Sequence, residues 1–280
     1  MLNTTVSKTP QHEILLSADV SVQYEDKPPV LRDVALELRR GEVLGLIGQS
    51  GSGKSTLAMA TLGLLDRKRA NARGSILFEG TNLLTLREAE LRNLRGRKIA
   101  LVLQSPLSSL NPALKIRTQL REAWRAHVSG SSADCDAAIR SALESVSLPS
   151  GDDFLRKHPA QMSVGQAQRV LIAMAVMHRP ALLIADEATS ALDVITQAEI
   201  LRLFRELNRN SGMAILYISH DLASVAGICD RVAILHQGQI VESGITPQVL
   251  TAPRHDYTQR LLAAMPKMPQ PIAIGKAATL

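Results

Sequence analysis

The chain has 280 residues, 45% of them hydrophobic, enough for one large domain or two small ones around a sizeable core. Net charge is +6 and the sequence pI about 9.6, which permits an acidic partner such as nucleic acid, anionic lipid or a nucleotide without choosing among them. Seven aromatic residues are too few for binding built on base stacking, and Cys135 and Cys229 have neither metal-ligand spacing nor the number for a disulfide framework, so a reducing compartment is the simplest reading.

Residues 1–11 are polar with no apolar core and do not read as a secretory signal. Residues 13–40 carry short alternating stretches, 20-VSVQY-24 and 34-VALEL-38, expected as antiparallel strands ahead of a core. In 41-GEVLGLIGQSGSGKSTLAMATLGLL-65, residues 43–47 read as a buried strand, 48–53 as a glycine-rich loop and 55–65 as a helix. A further apolar run is 99-IALVL-103. Residues 114–160 are helical in pattern, with turns at 129-SGSS-132 and 148-LPSGDD-153, and form a mostly α insertion. Residues 181–186, 213–219 and 232–238 read as further buried strands, and their alternation with helical patterns predicts an α/β fold with a parallel sheet covered by helices. The longest apolar run, 170-VLIAMAVM-177, falls far short of the ~18–20 residues that span a bilayer. The chain is therefore expected to be soluble, held at any membrane by something else. No internal repeat is present, and from Met265 onward proline and small residues suggest a loose tail.

Gly48, Gln49, Ser50, Gly51, Ser52, Gly53, Lys54 and Ser55 match the phosphate-loop pattern G-x-x-x-x-G-K-[ST]. Glycines let successive N–H groups turn toward phosphate oxygens, and the following helix adds its positive end. Lys54 supplies a charge for the β/γ-phosphates and Ser55 a hydroxyl for Mg²⁺. In 181-ALLIADEATSALD-193 an apolar strand ends at Asp186, the expected Mg²⁺-side carboxylate, and Glu187 follows as a group able to orient water toward the γ-phosphate. The plain alternative for Glu187 is a solvated acid at a strand end. His220 closes a predicted core strand and is read as a γ-phosphate contact, the alternative being a structural histidine. Gln104 follows the 99–103 run, where a neutral amide can reach Mg²⁺ or the attacking water; otherwise it is an ordinary strand-to-helix connection. In 160-AQMSVGQAQRVLIAMA-175 the polar cluster Ser163, Val164, Gly165 and Gln166 precedes an amphipathic helix with no evident local purpose.

Taken in order, Gly48 to Thr56, Gln104, the 163–166 cluster, the acidic pair, Ser190-Ala191-Leu192-Asp193 and His220 resemble the nucleotide-binding subunit of an ATP-binding-cassette (ABC) transporter, over residues 13–262. Within it, 105-SPLSSLNP-112 and 252-APRHDYTQRLLAAMP-266 resemble the oligopeptide/dipeptide/nickel importer ATPases. The resemblance implies a RecA-like P-loop core with an antiparallel β subdomain and an inserted helical subdomain near 113–170, between tails at 1–12 and 263–280. It implies a Mg²⁺-dependent ATPase acting in a head-to-tail pair with a second ATPase subunit of a different sequence. Two membrane-spanning permease subunits and, indirectly, a substrate-binding protein complete the assembly, and the chain sits peripherally on the cytoplasmic face of the membrane. Ser163, the Gly165 N–H and the helix from Gln166 would then cap ATP on the partner's loop. Ser190, Ala191, Leu192 and Asp193 fall on the family's D-loop. Tyr24 stands where the family stacks an aromatic on adenine, the alternative being a β-surface tyrosine. Val164 replaces a usual signature glycine, which predicts that the two ATP sites are unequal. No cysteine-rich extension is present, so no iron–sulfur cluster is expected, and the absence of sustained heptads between Lys54 and Ser163 argues against the DNA-repair relatives and against a nucleic-acid partner. Peptide, nickel or metal-chelate and opine transport stay open, as does, less favoured, a soluble non-transport ATPase.

Overall fold

The computed structural model describes residues 13–25, 27–66 and 68–264; the expected tails at 1–12 and from 265 onward lie outside them. Continuous apolar runs become strands buried on both faces, because only apolar side chains suit a strand covered above and below. In chain order the elements are β1 (Ile14–Tyr24), β2 (Leu31–Arg39), β3 (Val43–Ile47), α1 (Lys54–Thr61), β4 (Ala70–Phe78), β5 (Thr81–Asn82) and α2 (Glu88–Leu94). Next come β6 (Ile99–Val102), α3 (Pro106–Ser109), α4 (Ile116–Arg125), α5 (Ser132–Ser145), α6 (Asp152–Leu155) and α7 (Val164–Val176). The last are β7 (Leu182–Asp186), α8 (Val194–Ser211), β8 (Ala214–Ser219), α9 (Leu222–Ile228), β9 (Arg231–His236), β10 (Gln239–Ile245), α10 (Thr246–Thr251) and α11 (Asp256–Ala263).

Two sheets form. The larger has the order β10-β9-β3-β8-β7-β6 and is parallel except for β10, which pairs antiparallel with β9 at one edge. The smaller has the order β2-β1-β4-β5 and is antiparallel. Alternation along the core strands divides their side chains between two cores. Val43, Ile47, Leu183, Ala185, Ile215 and Tyr217 face the core shared with α7, α8, α9 and the helical insertion. Leu44, Leu46, Leu182, Ile184, Leu216 and Ile218 face the core shared with α1 and the antiparallel sheet. The expected helix over 55–65 is shorter than its pattern: α1 stops at Thr61, and Gly63 turns the chain with φ +61°, a conformation that ends helices. The helical insertion lies between β6 and β7, and α7 packs against α3, α4, α5 and β6, so the cluster at its start is carried on a well-packed rod. No described helix is long and apolar enough to cross a membrane.

Candidate nucleotide site

The parallel strands deliver their carboxyl ends to one edge, where loops rather than sheet hydrogen bonds occupy the space. β3 runs into the loop at 48–53, and α1 begins at Lys54. A Cβ on Gly48 would lie 2.3 Å from the Leu235 carbonyl oxygen, so only glycine lets the loop press against β9. Gly53 has φ +109°, which no other residue adopts without strain. Across the edge stand Asp186 and Glu187 after β7, His220 after β8 and Gln104 after β6. A cavity of about 700 Å³ is lined by Gly48, Gln49, Ser50, Gly51, Gly53, Lys54, Ser55, Thr56, Gln104, Glu187 and His220. Ser52 turns inward and is buried.

Lys54 is 6% exposed. Its Nζ donates to the Gly48 carbonyl at 2.7 Å and the Gln49 carbonyl at 3.1 Å, and lies 4.0 Å from Glu187 Oε1. Burial pushes its pKa down, and Glu187 and Asp186 push back. Asp186 is also 6% exposed, and its Oδ1 has no hydrogen-bond partner. Burial raises its pKa, Ser55's hydrogen bond lowers it, Glu187 raises it and Lys54 lowers it. Glu187 has φ +53°, with its N–H bonded to the Ile218 carbonyl at 3.0 Å. That turn directs the carboxylate to His220, whose Nδ1 lies 2.9 Å from Oε1 and 2.7 Å from Oε2. An anion entering this cavity meets a buried ammonium, backbone N–H groups and a helix start. The donor set of Ser55 hydroxyl, Asp186 carboxylate and Gln104 amide is all oxygen, which fits Mg²⁺, and the partnerless Asp186 Oδ1 is a buried acceptor suited to a hard cation.

A buried hydroxyl chain stands behind this edge. Thr189 Oγ1 and Tyr217 OH are 2.9 Å apart, Tyr217 OH donates to Ser224 Oγ at 3.1 Å, and Ser224 donates to the Asp221 carbonyl at 2.7 Å. The loop after Glu187 and the loop of His220 are thereby joined. A tyrosine within an apolar run carries no distinguishing pattern, so this hydroxyl chain leaves no signal in the sequence.

Ser163, Val164, Gly165 and Gln166 do not line this cavity. They do have a local purpose, contrary to expectation. Ser163 Oγ accepts the Gln166 N–H at 3.2 Å and Gln166 Oε1 accepts the Ser163 N–H at 3.3 Å, a capping box at the start of α7. Val164 is 39% exposed and leaves the cap intact. Ser190 bonds back to the Glu187 carbonyl, Leu192 N–H donates to the Thr189 carbonyl, Ala191 is exposed, and Asp193 caps α8 through Ile195 and Thr196. Tyr24 ends β1 opposite Ala70 and is half-buried, outside the cavity wall. Val30, across the same β1–β2 hairpin, lines the cavity, as does Leu261 of α11; neither was singled out from sequence.

The family description "ABC transporter" matches residues 31–190. The glutathione import ATP-binding protein GsiA of Salmonella paratyphi A is 42% identical over 244 residues, 85% of this chain, and the chain spans only 39% of that relative's length. The dipeptide transport ATP-binding protein DppD of Escherichia coli is 40% identical over 260 residues, 91% of this chain and 80% of that relative. A dimeric post-hydrolysis structure of the ATP-binding cassette MJ0796 with ADP and Pi superposes with a TM-score of 0.70 at 26% identity, over 82% of this chain and 98% of the other. A phosphate loop facing an Asp-Glu pair across a parallel sheet edge, together with these likenesses, settles the kinship: the chain has the ABC ATPase fold and belongs to the ABC transporter family.

Proposed function

We propose that this chain is the ATP-hydrolysing subunit of a multi-subunit importer for peptides or related small solutes. The observation that carries the reading is the gathering of Lys54, Gln104, Glu187 and His220 around one cavity beside the loop, with Asp186 buried next to Ser55 and Lys54. The substrate class rests on the names of the dipeptide and glutathione relatives; nickel, metal-chelate and opine cargoes belong to the same proposal as alternatives.

In this mechanism the loop N–H groups and Lys54 hold the β- and γ-phosphates, and Lys54 exchanges its two carbonyl acceptors for phosphate oxygens. Ser55, Asp186 and Gln104 would hold Mg²⁺, which when bound would supply charge neutralisation on the phosphates. Glu187 orients a water in line with the γ-phosphate. His220, held against Glu187, contacts the γ-phosphate as the bond to the β-phosphate breaks. Tyr24 stacks on the base from the hairpin beside Val30. The capped start of α7, with Ser163 and Gly165, closes over ATP on a second cassette, and Ser190, Ala191, Leu192 and Asp193 lie along that joint. The second cassette is a different chain, two permease subunits carry the pair at the cytoplasmic face of the membrane, and a binding protein delivers the cargo. The reading includes no iron–sulfur cluster and no nucleic-acid partner.

Lys54→Ala is expected to weaken ATP binding, while Glu187→Gln retains binding and slows hydrolysis ~10²–10⁴-fold. Equal loss of binding in both variants would overturn these roles.

A further inference from the structure

Within the stretch 252–266, residues 253–263 contain none of the phosphate-loop, acidic-pair or signature motifs. Their anchoring is specific. Glu242 on β10 accepts the Arg254 N–H at 2.8 Å and the His255 N–H at 3.1 Å, fixing the approach to α11. His255 Nδ1 accepts the Tyr257 N–H at 3.1 Å and caps the helix. The Tyr257 ring stacks on His236 with centroids 3.7 Å apart and planes at 20°. Tyr257 is 5% exposed and Thr258 fully buried.

His236 ends β9, the strand that also props the phosphate loop: Leu235 carries the carbonyl beside Gly48, and the Gly238 N–H just beyond donates to the Ser52 carbonyl at 3.2 Å. One turn beyond Tyr257, on the same face of α11, Leu261 reaches the cavity lined by Gly48, Lys54 and Glu187. Helix and loop are thus fastened to one strand end, and the helix supplies an aliphatic side chain to the cavity that holds Lys54 and Glu187.

We propose that α11 is a wall of the nucleotide site and that Leu261 contacts the bound nucleoside triphosphate. The inference rests on the nucleotide reading given above. An apolar wall displaces water beside a highly charged ligand, and low polarity nearby strengthens the attraction of Lys54 and the loop N–H groups for phosphate. The segment is then part of the site and not only a trailing anchor.

Charge reversal separates contact from packing. A carboxylate and an ammonium at position 261 disturb α11 to a similar degree but act oppositely on a polyphosphate. Binding of ATP with Mg²⁺ to the full chain is expected to weaken roughly tenfold in Leu261→Asp and to hold or tighten in Leu261→Lys. A second measurement does not depend on tolerance of a charge. Cys135 and Cys229 are buried, and burial pushes both thiols above their ordinary pKa, so Leu261→Cys adds the reactive thiol. ATP with Mg²⁺ should slow its maleimide labelling several-fold, and Lys54→Ala in the same background should abolish that protection. Equal weakening by Leu261→Asp and Leu261→Lys, or labelling indifferent to ATP, would overturn the proposal. If Lys54→Ala instead leaves ATP binding unchanged, the nucleotide reading itself fails.

Discussion

Gly165→Ala is the substitution whose outcome the structure fixes most closely. Gly165 is the second residue of α7, where alanine gains up to ~1 kcal/mol of helix propensity over glycine. The added Cβ, however, would fall 2.7 Å from Thr196 Cγ2 on the first turn of α8. Rotating Thr196 to relieve the contact would give up the 2.7 Å hydrogen bond from its hydroxyl to Asp193, the residue that also caps α8 through two N–H groups. Moving the helices apart instead disturbs a packed contact, and overfilling of this kind costs ~1–3 kcal/mol. The net expectation is destabilisation by about 1–2 kcal/mol, read by urea unfolding. Thr196→Ser removes only the methyl and keeps the hydroxyl. In that background Gly165→Ala should become neutral or stabilising, a coupling of about 1–2 kcal/mol between the positions. If Gly165→Ala alone stabilises the chain, or if Thr196→Ser leaves its cost unchanged, the contact does not explain the glycine.

Asp186→Asn should stabilise the nucleotide-free protein at neutral pH. The folded-state pKa of Asp186 is raised, mainly by burial, so the folded form holds the proton more tightly than the unfolded chain does. The cost of ionisation is absent below the unfolded value near ~4 and grows as pH rises toward the folded value, so the Tm difference between variant and parent should widen over that interval, by ~2–4 °C per ~1 kcal/mol. A difference that shrinks with rising pH would refute this. Tyr24→Ala should weaken ATP binding while Tyr24→Phe and Tyr24→Trp largely preserve it, because stacking needs a ring; equal effects of all three would remove Tyr24 from the site. Val164→Gly, measured in the assembled complex with Glu187→Gln silencing this chain's own site, should raise residual hydrolysis at the other site; an unchanged rate already equal to that of the first site would dismiss unequal sites.

The strands at 43–47, 182–186, 214–219 and 231–236 were legible because burial on both faces demands unbroken apolar runs. β10 and β4 were not. Their half-exposed sequences, QIVESGI and ANARGSILF, mix polar and small residues and resemble loops until a neighbour pairs with them. Lys54, Asp186 and Glu187 stand out in the sequence because the phosphate-loop pattern and an acidic pair at a strand end set residue types at fixed spacing, and the structure brings them to one sheet edge. In the 163–166 cluster, S-x-x-Q is itself a capping pattern, so the sequence carries a local role beside the remote one that the resemblance implies. Leu261 and Val30 carry no such pattern, since tertiary packing alone decides which aliphatic side chain reaches a cavity.

The strand order has a consequence for how the protein is made. β3 lies between β8 and β9, so a strand complete at Ile47 finds its first sheet neighbour only when the chain has reached Ala214, and its second from Arg231. Until then Val43, Leu44, Leu46 and Ile47 have no sheet partners. β6 and β7, by contrast, join strands closer in sequence, with the helical insertion between them. During synthesis, sequence-distant pairing of this kind is slow and leaves apolar edges open to aggregation. The phosphate loop is propped only when Leu235 and Gly238 arrive. The motif nearest the beginning of the chain therefore acquires its shape among the last, and a ribosome-bound fragment ending before β8 carries the loop's residues without the strands that shape it.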